Sequence, residues 1–143
     1  MEFTKVNNDG TGVPSESRGF VNSGEILTAD TTQLRIEDSG KVFMLDIGGG
    51  NINLPTGLVY GVNYEFELNV ANTSDWLIIS STNIIQGYVS VNYATIPASN
   101  ESTITFANGS AIAGDKFRLF CDGTSWILNG VGSAAGAITA TAP

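Results

Sequence analysis

Asn63-Tyr64-Glu65-Phe66-Glu67-Leu68-Asn69-Val70 alternates polar and apolar side chains along its whole length. A β-strand repeats every two residues, so this spacing sends Tyr64, Phe66, Leu68 and Val70 to one face and the asparagines and glutamates to the other. The stretch reads as a half-buried strand. No window of helical length combines an apolar stripe with a polar opposite face, so little α-helix is expected anywhere in the chain.

Outward from this strand, which is expected to cover 62–70, further β-like runs lie at 25–28, 33–36, 41–47, 51–54, 76–80, 84–91, 103–106, 116–121 and 125–128. Turn residues divide them: Asp38, Ser39 and Gly40, then Asn108 and Gly109, then Asp122 and Gly123, all types that accept turn geometry. Pro55 followed by Gly57 should end the strand of Ile52 and Leu54, and Pro97 should interrupt the later β region. Asp122 and Gly123 predict a hairpin, with Trp126 packed on the strand of Phe117, Leu119 and Cys121. Phe120 is apolar as well, so that strand reads as buried on two sides. Repeated short strands with regular turns favour an all-β fold, a jelly roll or related antiparallel β-sandwich.

The ends differ in composition from this body. Residues 1–22 are rich in Asn, Ser, Gly and Asp with isolated apolar side chains, and read as an extended N-terminal arm with Phe3, Val6 and Phe20 as contact points, or as an unstructured terminus. The β body is expected over 23–130. Residues 131–143 form a small-residue C-terminal tail, either flexible or an intersubunit strap with Ile127, Leu128, Val131 and Ile138 as packing points.

Composition restricts the chemistry. The 143 residues include no histidine and one cysteine, which removes the commonest neutral-pH acid-base group and the commonest nitrogen ligand for metals. Charged residues make up 14% of the chain, fewer than the roughly 25–35% typical of a small monomer's surface, so part of the surface is expected to face a partner. Six basic residues are scattered against fourteen acidic ones, giving a net charge of -8. Direct binding of nucleic acid is not expected. No secretory signal follows Met1 and no apolar run is long enough to span a membrane.

Candidate chemical sites are weak. Gly48, Gly49 and Gly50 lack the lysine and spacing of a phosphate loop and read as a turn. The dispersed aspartates lack calcium-loop spacing and read as turn residues. Glu65 and Glu67 share a strand face, yet a solvated face has the same pattern, so a glycosidase pair is not inferred. Cys121 reads as a buried thiol. Trp76, Trp126, Tyr60, Tyr64, Tyr88 and Tyr93 read mainly as core, with a carbohydrate platform as the alternative. No catalytic, cofactor-binding or metal residues are expected, and the chain is not read as an enzyme. The expected core comprises Tyr64, Phe66, Leu68, Val70, Phe117, Leu119, Cys121 and Trp126.

Leu54, Pro55, Gly57 and Gly61, then Thr105, Phe106, Asn108, Gly109, Ser110, Gly114 and Asp115, then LFCDGTSW over Leu119 through Trp126 and Gly130 together resemble tailed-phage virion surface proteins. Within that group the chain is most like a capsid cement or decoration protein: it has no coiled coil or repetitive shaft, and it carries a polar arm. The resemblance implies a homotrimer on the outer capsid surface of the virion, made in the host cytoplasm, bridging copies of the major capsid protein without a cofactor. The alternative it leaves open is a tail-fibre or receptor-binding module that recognises a host glycan.

Overall fold

The computed structural model describes residues 24–27, 31–82, 84–92 and 94–142. Among these residues are twelve strands: β1 (Gly24–Leu27), β2 (Thr31–Gln33), β3 (Val42–Leu45), β4 (Gly50–Asn53), β5 (Asn63–Leu68), β6 (Trp76–Ile79), β7 (Ile85–Val91), β8 (Ala94–Glu101), β9 (Thr103–Phe106), β10 (Lys116–Cys121), β11 (Trp126–Val131) and β12 (Ile138–Thr141). The helical content of the described residues is one 3-10 turn, Ile36–Asp38. The expectation of an all-β chain holds for these residues.

The strands form a seven-stranded sheet in the order β1-β3-β5-β10-β11-β7-β8 and a five-stranded sheet in the order β12-β9-β6-β4-β2. Up to β6 the chain alternates between them, odd strands in the larger sheet and even strands in the smaller. β1, β3 and β5 run parallel, as do β2, β4 and β6. Parallel neighbours need a long return connection, and here the facing sheet supplies it. The result is three successive β rungs, followed by a half in which antiparallel pairs predominate. β10 and β11 form the hairpin expected around Asp122, with Cys121 opposite Trp126.

Five of the ten strand pairs are parallel, which corrects the expectation of an antiparallel sandwich. The two mixed sheets are consistent with a β-sandwich. One core joins them: Ile52, Ile78 and Ile104 from the smaller sheet are buried together with Leu45, Phe66 and Leu119 from the larger. Phe43, Phe66 and Phe117 sit side by side across β3, β5 and β10, with ring centroids 5.6 and 5.3 Å apart. Phe106 reaches across from β9 and stacks on Phe117 at 5.0 Å. Burial of each such ring is worth about 1.5–3 kcal/mol, so this aromatic seam is a main adhesive between the layers.

Three local expectations change. Val70 is half-buried and outside the core: β5 ends at Leu68, where the Gly114 N–H bonds the Leu68 carbonyl and the Asn69 N–H turns to Leu45, leaving Val70 in a bend off the sheet. Pro97 does not interrupt β structure; it lies within β8, opposite Tyr88, because β8 is an edge strand whose outer side requires no N–H donor. Residues after 131 are not wholly a tail: β12 pairs antiparallel with β9, Ala137 and Ile138 are buried, and β12 lies against β8.

Candidate interaction surface

Seven of the eight expected core residues, Tyr64, Phe66, Leu68, Phe117, Leu119, Cys121 and Trp126, are buried. Phe3, Val6, Phe20 and Tyr93 lie outside the described residues. Trp76 and Trp126 are also core, while Tyr60 is 75% exposed and Tyr88 is exposed. The tryptophans therefore form no surface platform. Cys121 is a free, buried thiol.

The aspartates find their use in turns. Asp38 accepts the Arg35 N–H at 2.9 Å, Asp46 that of Ile47 at 2.9 Å, and Asp75 that of Asn108 at 2.7 Å. Asp122 accepts the Thr124 and Ser125 N–H groups and the Thr124 hydroxyl. Asp115, itself buried, accepts the N–H groups of Ile112 and Ser133 and the Ser133 hydroxyl. Each described aspartate thus clamps a loop, the local role that short carboxylates favour. The Thr124 and Ser125 N–H groups hold the Asp122 carboxyl below the usual carboxylate range. Lys41, bonded at 2.9 Å, does the same for Asp38. No cluster able to hold a metal ion exists among the described residues, and no helix among them is long and apolar enough to cross a membrane.

Gly49 sits in the turn between β3 and β4 at φ 80°, and a Cβ there would lie 2.5 Å from the Ser74 carbonyl oxygen. The glycine run is the turn its sequence suggested, and at Gly49 it is also a close backbone crossing. Asn72, which begins a possible glycosylation triplet, is buried with its amide donating to the Ser74 and Phe106 carbonyls. Burial pushes the Tyr64 phenol up from its ordinary value, and its hydroxyl donates to the Arg35 carbonyl at 2.6 Å.

The outer face of the seven-stranded sheet is where charged and exposed apolar side chains gather. Glu65 and Glu67 alternate outward on β5, opposite Arg118 and Lys116 on β10. Beyond these, β11 presents Ile127, Asn129 and Val131. Together with Phe120 and Gly130 they line a depression of about 430 Å³. Phe120 is half-buried rather than enclosed, which corrects the expectation of a strand buried on two sides. Tyr60 covers its edge, the two rings meeting at 5.8 Å and 84°. The ion pairs of the described residues join Lys41 to Glu25 and Asp38, leaving Lys116 and Arg118 outside them. This surface offers apolar contact, both signs of charge and an amide, groups that can hold a partner or a ligand. The placement of Glu65 and Glu67 on one face was readable from their spacing. Their cationic neighbours were not, because the partner strand lies far along the chain.

No known protein family and no curated protein sequence matches the chain.

Proposed function

We propose that the protein is a structural component of a virion, a capsid cement or decoration protein that bridges major capsid subunits from the outer surface and stabilises the shell. The observation that carries this reading is the pairing of a body whose aspartates are committed to turns with a broad sheet face bearing exposed apolar and charged side chains. Such a body resists deformation and offers contact area, the two properties mechanical reinforcement requires. The reading assigns residues 1–22, which lie outside the described residues, to contact with neighbouring subunits, and the assembled form implied by the resemblance is a homotrimer. The finer fold grouping that accompanies this reading is a sandwich related to the jelly roll. The test is addition of purified protein to expanded shells that lack it: saturable, stoichiometric binding and greater resistance of the shell to heat are expected, and no binding would reject the role.

A second reading is favoured by one feature. The depression beside Phe120, with Arg118, Glu65 and Asn129 on its walls, has a ring and hydrogen-bonding groups of the kind that hold a sugar. On this reading the chain is a receptor-binding module for a host glycan. Glycan-array binding lost in Phe120→Ala, with no shell affinity, would replace the first reading by the second.

A further inference from the structure

The outer face of the seven-stranded sheet is complementary to itself. One cross-strand row runs Met44, Glu67, Lys116, Val131 over β3, β5, β10 and β11, and the next runs Val42, Glu65, Arg118, Asn129. Each row is acidic on β5 and basic on β10, with an apolar residue on β3 outside the acid. A half-turn about an axis along the strands between β5 and β10 exchanges β5 with β10 and β3 with β11. It sets Glu67 on Lys116 of the second copy, Glu65 on Arg118, and Met44 on Val131, and repeats each contact in reverse.

We propose that this face joins two copies of the chain through such an isologous interface. Charge supports the choice of partner. The chain carries a net charge of -8, so two copies repel through most orientations, whereas on this face two carboxylates are balanced by two cations that lie outside the ion pairs of the described residues. Apolar exposure points the same way: Ile26, Tyr88, Ile127 and Val131, the last 56% exposed, are four of the nine large apolar residues exposed among those described, and the alternation of their strands turns them all to this side. Seven strands about 4.8 Å apart and about five residues long give a face of roughly 600 Å², the same order as the ~800 Å² each partner contributes to a specific interface. An isologous contact requires one patch to serve both copies, and the paired acidic and basic rows meet that condition.

The inference does not rest on the virion reading and competes with it for this face, and its test uses the full chain in solution. Sedimentation equilibrium or light scattering of the wild type is expected to give an even-numbered assembly, a dimer or, where the homotrimer also forms, a hexamer, whose mass is halved by Val131→Glu, an exposed change that leaves the thermal midpoint of the protomer unaltered. Arg118→Glu is expected to halve it as well, and the exchange Glu65→Arg with Arg118→Glu to restore it, because both copies then carry the swapped pair. A wild type at the 15.0 kDa mass of one chain overturns the proposal. So does an assembly, a trimer included, whose mass Val131→Glu leaves unchanged. Shell binding by a protein that fails this test would leave the proposed virion role standing.

Discussion

Phe117 occupies space that Gly130 leaves empty. The two are cross-strand neighbours on β10 and β11, and a Cβ at Gly130 would lie 2.5 Å from the Phe117 Cβ and 2.8 Å from the Lys116 carbonyl oxygen. The seam of Phe43, Phe66 and Phe117 therefore ends against a residue with no side chain.

Gly130→Val is expected to destabilise the fold by about 1–3 kcal/mol, the usual cost of overpacking, because the new atoms meet backbone and cannot be moved aside. Chemical denaturation checks it. An unchanged midpoint would mean that β11 can shift away from β10, contrary to the packing described.

The two buried tryptophans should respond differently to conservative change. The Trp76 Nε1–H donates to the Asp46 carbonyl at 2.8 Å, whereas the Trp126 Nε1 has no hydrogen-bond partner among the described residues. Trp76→Phe should cost about 1 kcal/mol more than Trp126→Phe, the worth of a typical hydrogen bond. Trp126→Ala should cost about 3–5 kcal/mol through lost burial and the cavity left behind. Equal midpoints for the two phenylalanine variants would contradict the hydrogen-bond assignment.

Asp115 ties the start of β10 to the loop before β12 through Ser133 at 2.7 and 2.9 Å. Asp115→Ala leaves the N–H groups of Ile112 and Ser133, both on exposed residues, without their acceptor, at about 0.5–1.5 kcal/mol for each bond whose donor can turn to water. Hydrogen exchange should accelerate first at those two amides and along β12. Exchange that speeds up evenly throughout the protein would argue against a local tie.

Acid should weaken the fold only at low pH. The chain has no histidine, the side chain that ordinarily titrates between about pH 5 and 8, so the thermal midpoint should be level there. Asp38 and Asp122 are both held below the ordinary aspartate value of 3.8. A lowered folded pKa contributes stability above the unfolded value that is lost as pH falls through the folded one, so the decline should begin near 3.8 and continue below it. Asp38→Asn should shallow that decline, and an equally steep one would remove Asp38 from the account.

The alternation around Tyr64, Phe66 and Leu68 was legible because each side chain reports its own face. The β10–β11 hairpin was legible because Asp122 and Gly123 lie between its strands. Parallel pairing was not, since Phe43 pairs with Phe66 only after the chain has crossed to the other sheet and returned, and nothing local records that path. β12 was missed for a related reason: small residues signal a tail, while the bulk that encloses Ala137 and Ile138 comes from elsewhere in the core. At the candidate surface, the outward glutamates could be read from spacing, but Arg118 and Lys116 became their neighbours only through the fold.

The three rungs also set how the molecule carries tension. β1 is gripped by β3 through four register pairs along one side, and β2 by β4 through three, with each later rung held between neighbours. If residues 1–22 are the tether, any pull on it arrives at this lightly held rung before it reaches the aromatic seam. The attachment then behaves like a fuse: the terminal rung yields while the body beneath it stays folded, free to re-engage when the load falls.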